Sequence, residues 1–170
     1  EGYLLADLVI CPSTKSAEIM RSYGCKNVIV IPHGVNIPDS VKPYPKRFTV
    51  GYLGACGADK GLPYLLQAWK KLDYKDSTLL MAGSDQSGMT HLARLHGGGN
   101  IHILGFVDNI GEFFNQISAY IQPSVSEGYG IEVLEAFDYG RLPIVSDGAG
   151  AADAARDYHR DNQSPFIFPA

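Results

Sequence analysis

Nothing in the 170-residue chain approaches the run of roughly 20 apolar residues that a membrane-spanning helix requires. The opening segment lacks the basic region and long apolar run of a secretory signal. No block of lysines and arginines occurs, and the net charge is -4. Those two features argue against nucleic acid or an anionic membrane surface as the main partner. A small anion stays open, because one or two placed cations and a few backbone amides suffice to hold it. The three cysteines, Cys11, Cys25 and Cys56, lie far apart and form no CxxC pair. They read as reduced, buried thiols, which suits a cytoplasmic protein better than a disulfide framework does. The histidines His33, His91, His96, His102 and His159 include no i, i+4 pair, so no helical metal site is expected. A GxSxG elbow, a Walker A loop and a GxGxxG after a strand are all missing.

What is present is ordinary for a globular domain: 45% hydrophobic and 19% charged residues. Short apolar runs alternate with amphipathic stretches from end to end, the pattern of an α/β fold. Strands are expected over 8–11, 28–31, 48–53, 78–82, 101–104, 119–122, 143–146 and 166–168. Helices are expected over 15–23, from Pro63 through Leu72, and over 90–95, 110–116, 131–139 and 151–158. Ser13 is placed to cap the first helix and Gly24 to end it. Leu65, Leu66, Trp69 and Leu72 mark the buried face of the second. In the helix over 131–139, Ile131, Leu134 and Phe137 are expected to face the sheet. The run IPHGVNIPDSVKPYPK, with Pro32, Pro38, Pro43 and Pro45, reads as an extended junction. The chain opens without Met, on what looks like a helix tail running into a strand, and reads as a piece of a longer protein.

Strands that are apolar throughout suit a parallel sheet covered on both faces. A doubly wound sheet binds ligands beyond the carboxyl ends of its strands. That rule nominates the loops 54–61, 83–88, 105–109, 124–130 and 147–150. In the first, Lys60 and Gly61 immediately precede a helix start, a setting suited to a phosphate or pyrophosphate. A solvated loop lysine is the competing reading. In the fourth, Glu127 lies in the loop and Glu135 eight residues on, at the apolar boundary of a helix. A carboxylate there needs hydrogen-bond donors, and vicinal sugar or ribose hydroxyls are natural ones. Glu132, in the first turn, reads as a helix-dipole partner. Two solvated glutamates on a helix are the alternative.

The segment EGYGIEVLEAFDYGRLPIVSD resembles the glutamate-x7-glutamate signature of retaining glycosyltransferases of the GT-B fold, especially family 4. Three further segments agree in order. ADLVICPSTKSAEIM…IVIPHGVN is similar to the crossing between the two domains of that fold. VGYLGACGADKGLPYLLQAW is similar to the first strand, lysine-glycine loop and helix of the C-terminal domain. NIHILGFVDNIGEFFNQISAYIQPSVSEG is similar to the approach to the donor site. The resemblance implies a Rossmann-like, doubly wound C-terminal domain over 47–170, a linker over 38–46, and the end of an N-terminal domain over 1–37.

The resemblance also implies roles. Lys60 would contact the donor diphosphate and Glu127 the donor sugar, the two forming the catalytic pair. Glu135 would hold the ribose hydroxyls. Gly54 and the backbone of Gly128, Tyr129, Gly130 and Ile131 would help with sugar and phosphate, and Phe106 and Val107 would line the base pocket. The expected substrate is a UDP- or GDP-sugar, with no metal and no other cofactor. A glycan or lipid acceptor would bind through the N-terminal domain, with peripheral contact to the inner face of a membrane. Two departures stand out. Ala55 occupies the place where the family usually has a second cation for the diphosphate, a loss of about 1.5–3 kcal/mol. The sequence after Asp153 matches poorly. A non-hydrolysing nucleotide-sugar epimerase, a non-catalytic binding subunit and an α/β interaction module are the rival readings.

Overall fold

The computed structural model describes residues 2–85, 88–96, 98–158 and 166–170. His159 and the poorly matching segment 159–165 lie outside the described residues, as do parts of the loop 83–88. The first elements are β1 (Val9–Cys11), α1 (Thr14–Ser22) and β2 (Val28–Val30). Next come β3 (Phe48–Leu53), α2 (Leu62–Leu72), β4 (Ser77–Ala82), α3 (Met89–His96) and β5 (Ile101–Gly105). The last are α4 (Ile110–Phe114), β6 (Ala119–Gln122), α5 (Ile131–Asp138), β7 (Leu142–Ser146), α6 (Ala152–Tyr158) and β8 (Ile167–Phe168). These match the expected elements to within a residue or two at their ends.

Every strand pairing is parallel. β1 and β2 form a small sheet of their own, and the rest form a six-stranded sheet in the order β5-β4-β3-β6-β7-β8. In that order the chain winds outward from β3 to one edge, returns to the centre at β6, and winds outward to the other. The reversal between β3 and β6 is the switch point at which doubly wound sheets open a crevice.

Both faces of the sheet carry a packed apolar layer, as an all-parallel sheet requires. On one face Leu62, Leu65 and Trp69 of α2 pack against Val50, Tyr52, Leu79 and Met81. On the other, Phe113, Phe114, Ile117, Val133 and Ala136 pack against Tyr120 and Val145. Each large apolar side chain so buried contributes roughly 1.5–3 kcal/mol. The periodicity argument erred at the rims of two helices. Leu72, expected in the core, is 69% exposed at the end of α2. In α5 the fully buried positions are Val133 and Ala136; Leu134 and Phe137, as expected, pack against the same core though only partly covered, whereas Ile131 is exposed. The helix is rotated from the expected phase, and this has consequences for its glutamates.

Ser13 caps α1, its hydroxyl accepting from the Ser16 amide at 3.1 Å. The proline-rich connection carries no helix or strand over 31–46. It is tied down at the amino ends of the strands. The Arg141 guanidinium donates to the Lys42 carbonyl at 2.7 Å, and the Tyr44 hydroxyl donates to the Gly140 carbonyl at 2.7 Å. All three cysteines are buried, and none forms a disulfide.

Candidate functional site

The crevice is built by two loops that lie backbone against backbone. The loop leaving β3 runs to Gly61, the cap residue of α2, and the loop leaving β6 runs to Gly130, the cap residue of α5. Val125 donates its amide to the Asp59 carbonyl at 3.0 Å. Gly61 has φ +71°, and a Cβ there would overlap the Pro123 carbonyl oxygen. Gly83, at φ +136°, presses on Gly54 in the same way. Glycine at both places allows the close approach that closes the floor of the site. Below the floor, the buried Tyr52 and Tyr120 hydroxyls donate to the Ala55 carbonyl at 2.7 Å and the Leu53 carbonyl at 3.2 Å.

This contact brings Lys60 and Glu127 together across 67 residues of sequence: Lys60 Nζ lies 2.6 Å from Glu127 Oε2. Burial alone would lower the Lys60 ammonium, but the Glu127 hydrogen bond and charge outweigh it and hold the pKa raised. Both side chains keep about a fifth to a quarter of their surface exposed, at 24% and 21%. A partly solvated pair is worth about 1 kcal/mol or less. An incoming anion can therefore take the lysine at little cost. The other Glu127 oxygen, Oε1, accepts from the Gly128 amide at 3.1 Å.

Beside this pair lies a cavity of about 460 Å³, a size suited to a small organic ligand. Its walls are Leu53, Gly54 and Ala55 after β3, Gly83 and Ser84 after β4, and Phe106 to Asp108 and Ile110 after β5. Ile131, Glu132 and Glu135 of α5 complete it. Gly54, Phe106, Val107, Ile131 and Glu135, all nominated from the sequence, line this one cavity. Phe106 is 76% exposed and offers its ring to solvent at the mouth. The Tyr129 ring does not enter the cavity; it is buried, edge-on to His33 at 5.0 Å. Gly128 faces away as well, its carbonyl accepting from the Ser13 and Ser16 hydroxyls of α1 at 3.2 and 2.9 Å. Gly130, at φ +90°, starts α5 with no side-chain cap.

Glu132 stands in the first turn of α5, where the sequence placed it as a helix-dipole partner, but it is also a half-buried wall of the cavity, which the sequence did not indicate. The rotated phase of α5 explains this, since residues three apart share a helix face and Glu132 must follow Glu135 inward. Burial raises the Glu132 carboxyl above the usual range, against a hydrogen bond from its own amide, and Glu127 adds to the rise. Burial also raises Glu135, with further contributions from Glu132 and Asp138. Among the described residues no basic side chain pairs with either. No group of three or more His, Cys, Asp or Glu among the described residues is arranged to hold a metal ion.

A doubly wound parallel sheet with its crevice at the switch point, walled by glycine loops and a glutamate-bearing helix, is the Rossmann-like domain of GT-B glycosyltransferases. The chain belongs to the glycosyl transferases group 1 family, whose model matches residues 36–166. Over 95 residues it is 28% identical to an N,N'-diacetylbacillosaminyl-diphospho-undecaprenol alpha-1,3-N-acetylgalactosaminyltransferase of Campylobacter jejuni. That match covers 56% of this chain and 25% of the relative. The fold is shared with TarM of S. aureus, with a TM-score of 0.80 at 16% identity over 99% of this chain and 35% of that one. It is also shared with Anabaena HepE solved with UDP-glucose, with a TM-score of 0.77 at 19% identity over 96% and 50%. The chain therefore spans between a quarter and a half of the length of these relatives.

Proposed function

We propose that the chain is the donor-binding half of a retaining glycosyltransferase of family 4 type. The observation that carries this reading is the crevice itself, with a lysine–glutamate pair at one end and an unpaired, half-buried Glu135 at the other. On this reading residues 47–170 form the donor domain, 38–46 the linker and 1–37 the end of an acceptor domain. A nucleotide diphosphate sugar lies along the crevice. The base rests by Phe106 and Val107, the ribose on Glu135, the diphosphate by Lys60, Gly54 and the start of α5, and the sugar on Glu127. HepE was solved with UDP-glucose, which makes a UDP-sugar the first donor to test, with GDP-sugars next.

In the transfer step the bond between the anomeric carbon and the diphosphate oxygen breaks. Its electron pair leaves with the diphosphate, whose growing charge Lys60 and the helix starts at Gly61 and Gly130 stabilise. The acceptor oxygen attacks from the same face and passes its proton to the departing phosphate, so the configuration is retained. Glu127 hands its lysine to the diphosphate and is freed for sugar hydroxyls. On this reading neither a metal nor a carboxylate base is required. The Campylobacter jejuni relative acts on an undecaprenol-linked substrate, which motivates a glycan or lipid acceptor and work at the cytoplasmic face of a membrane.

A thermal-shift panel of nucleoside diphosphates and their sugars tests the reading. A ligand at 100 times its dissociation constant stabilises the folded state by about 2.7 kcal/mol. A clear rise with UDP or GDP and their sugars is expected, and a flat panel would sink the proposal. The 170-residue chain alone should bind donor without turning it over; robust transfer by it would contradict the assignment of the acceptor site to another domain. Ala55 supports a second reading, a nucleotide-sugar-binding subunit that has lost catalysis. Restoring the cation by Ala55→Arg should raise transfer strongly on that reading and only modestly in a working enzyme.

A further inference from the structure

We propose that Glu132 is a specificity-determining residue of the crevice, one that sets the cavity against negative charge at the phosphate end of a ligand. The inference rests on the donor-pocket reading above and concerns which donors that pocket tolerates.

The geometry is as follows. Glu132 stands in the first turn of α5, three residues before Glu135, and lines the same cavity as Gly54 and Ala55. No side chain caps that helix. An uncapped helix start is where an entering phosphate would dock, since its amides and dipole favour negative charge. Here the start already holds an anion, because Glu132 itself stands in that first turn and lines the cavity. A phosphate arriving at this helix start meets a resident carboxylate.

The surrounding charges do not offset it. Glu132 interacts with Lys60 from the loop before α2, with Glu127 from the loop after β6, with Glu135 on its own helix, and with the Tyr52 and Tyr120 hydroxyls of β3 and β6. Asp59 acts on the same Lys60 and Tyr52, and Asp108 lines the cavity after β5. The sole cation of this set, Lys60, is held by Glu127, and Ala55 supplies none. A diphosphate must therefore turn Glu132 away from the helix start or take up a proton on it. Burial has already moved that carboxyl toward protonation. The penalty grows with each charge the ligand carries, and a donor of low charge is favoured.

The test is calorimetric titration of the protein and its Glu132→Gln variant with uridine, UMP and UDP, and in parallel with guanosine, GMP and GDP. Glu132→Ala serves if the glutamine variant does not fold. Removing the charge should tighten the diphosphate at least about ten-fold, the effect of one unit-charge interaction across roughly 10 Å at an effective dielectric of about 20. The monophosphate should gain less and the nucleoside almost nothing. The wild-type affinity for the diphosphate should rise as the pH falls from about 8 to about 6, and the variant should lose that part of the rise. An equal gain for all three ligands, or no gain for the diphosphate, overturns the proposal while leaving the donor pocket standing. Failure of every nucleotide to bind either form overturns the donor-pocket reading and this inference together.

Discussion

The two ends of the crevice handle their carboxylates in opposite ways. At one end Glu127 meets Lys60 at 2.6 Å, and the pair is complete without a ligand. Toward the other, Glu132 and then Glu135 line the α5 side of the cavity, burial raises both, Glu127 adds to the rise at Glu132, and Glu132 and Asp138 add to it at Glu135. The first end is electrostatically settled when empty. The second holds like charges in a half-buried place and gains when something arrives to donate hydrogen bonds. On the proposed reading, the difference divides the labour: the lysine end acts in the step that develops charge, and the glutamate end in binding.

The comparison breaks most visibly at Lys60. Lys60→Ala in the full-length enzyme should lower sugar transfer by about 100- to 1,000-fold, the usual effect of removing one group that stabilises developing negative charge. Adding Glu127→Ala should cost less than the product of the two single effects, because the residues act as a pair. Rate measurements on the two single variants and the double variant decide this; simple multiplication would mean that they work apart.

Next in size is the backbone contact that brings Lys60 and Glu127 together. Gly61→Ala places a Cβ against the Pro123 carbonyl at a left-handed φ of +71°. It should destabilise the fold by about 2–4 kcal/mol, combining backbone strain with the shift the overlap forces. Chemical denaturation measures it, and an unchanged midpoint would show that the loops do not touch as described.

A smaller effect is expected at the ribose. Glu135→Ala should weaken nucleoside diphosphate binding by about ten-fold, the loss of hydrogen bonds to a charged acceptor. The loss should shrink for ligands lacking a ribose hydroxyl. Equal losses for ribose and deoxyribose ligands would move Glu135 out of the ribose site.

The smallest effect sharpens the contrast through stability. A carboxyl raised in the folded state binds its proton more tightly there than in the unfolded chain. Its contribution to stability is fully present below the unfolded pKa and is lost as pH rises through the folded one. Glu132→Gln should therefore melt slightly higher than wild type at neutral pH, and the gap should close toward about pH 4, the ordinary glutamate range. A gap that widened on acidification would contradict the burial of this carboxyl.

The strands and their loops could be read from the sequence because that pattern is local: apolar runs mostly of four to six residues, three of them followed directly by glycine at Gly54, Gly83 and Gly105. Glu127, Glu135 and Lys60 could be read because loops after parallel strands are where ligands bind, and the family resemblance agreed. The Lys60–Glu127 pair could not, since it depends on how close two loops come through Gly61 and Pro123, a long-range fact. Glu132 was legible in principle. Its three-residue spacing from Glu135 puts both on one face, but taking Ile131 rather than Val133 as the sheet-facing residue turned that face outward. The buried Tyr129 ring and the grip of Ser13 and Ser16 on Gly128 left no local trace at all.

The central claim is that the crevice between the β3 and β6 loops holds a nucleoside diphosphate, with the lysine on the phosphates and Glu135 on the ribose. Calorimetric titration of UDP and GDP into wild type, Lys60→Ala and Glu135→Ala tests it most directly. The account predicts saturable one-to-one binding of at least one nucleotide by the wild type, weakened about ten-fold in each variant. Binding of equal strength in all three proteins, or none in the wild type, would contradict it.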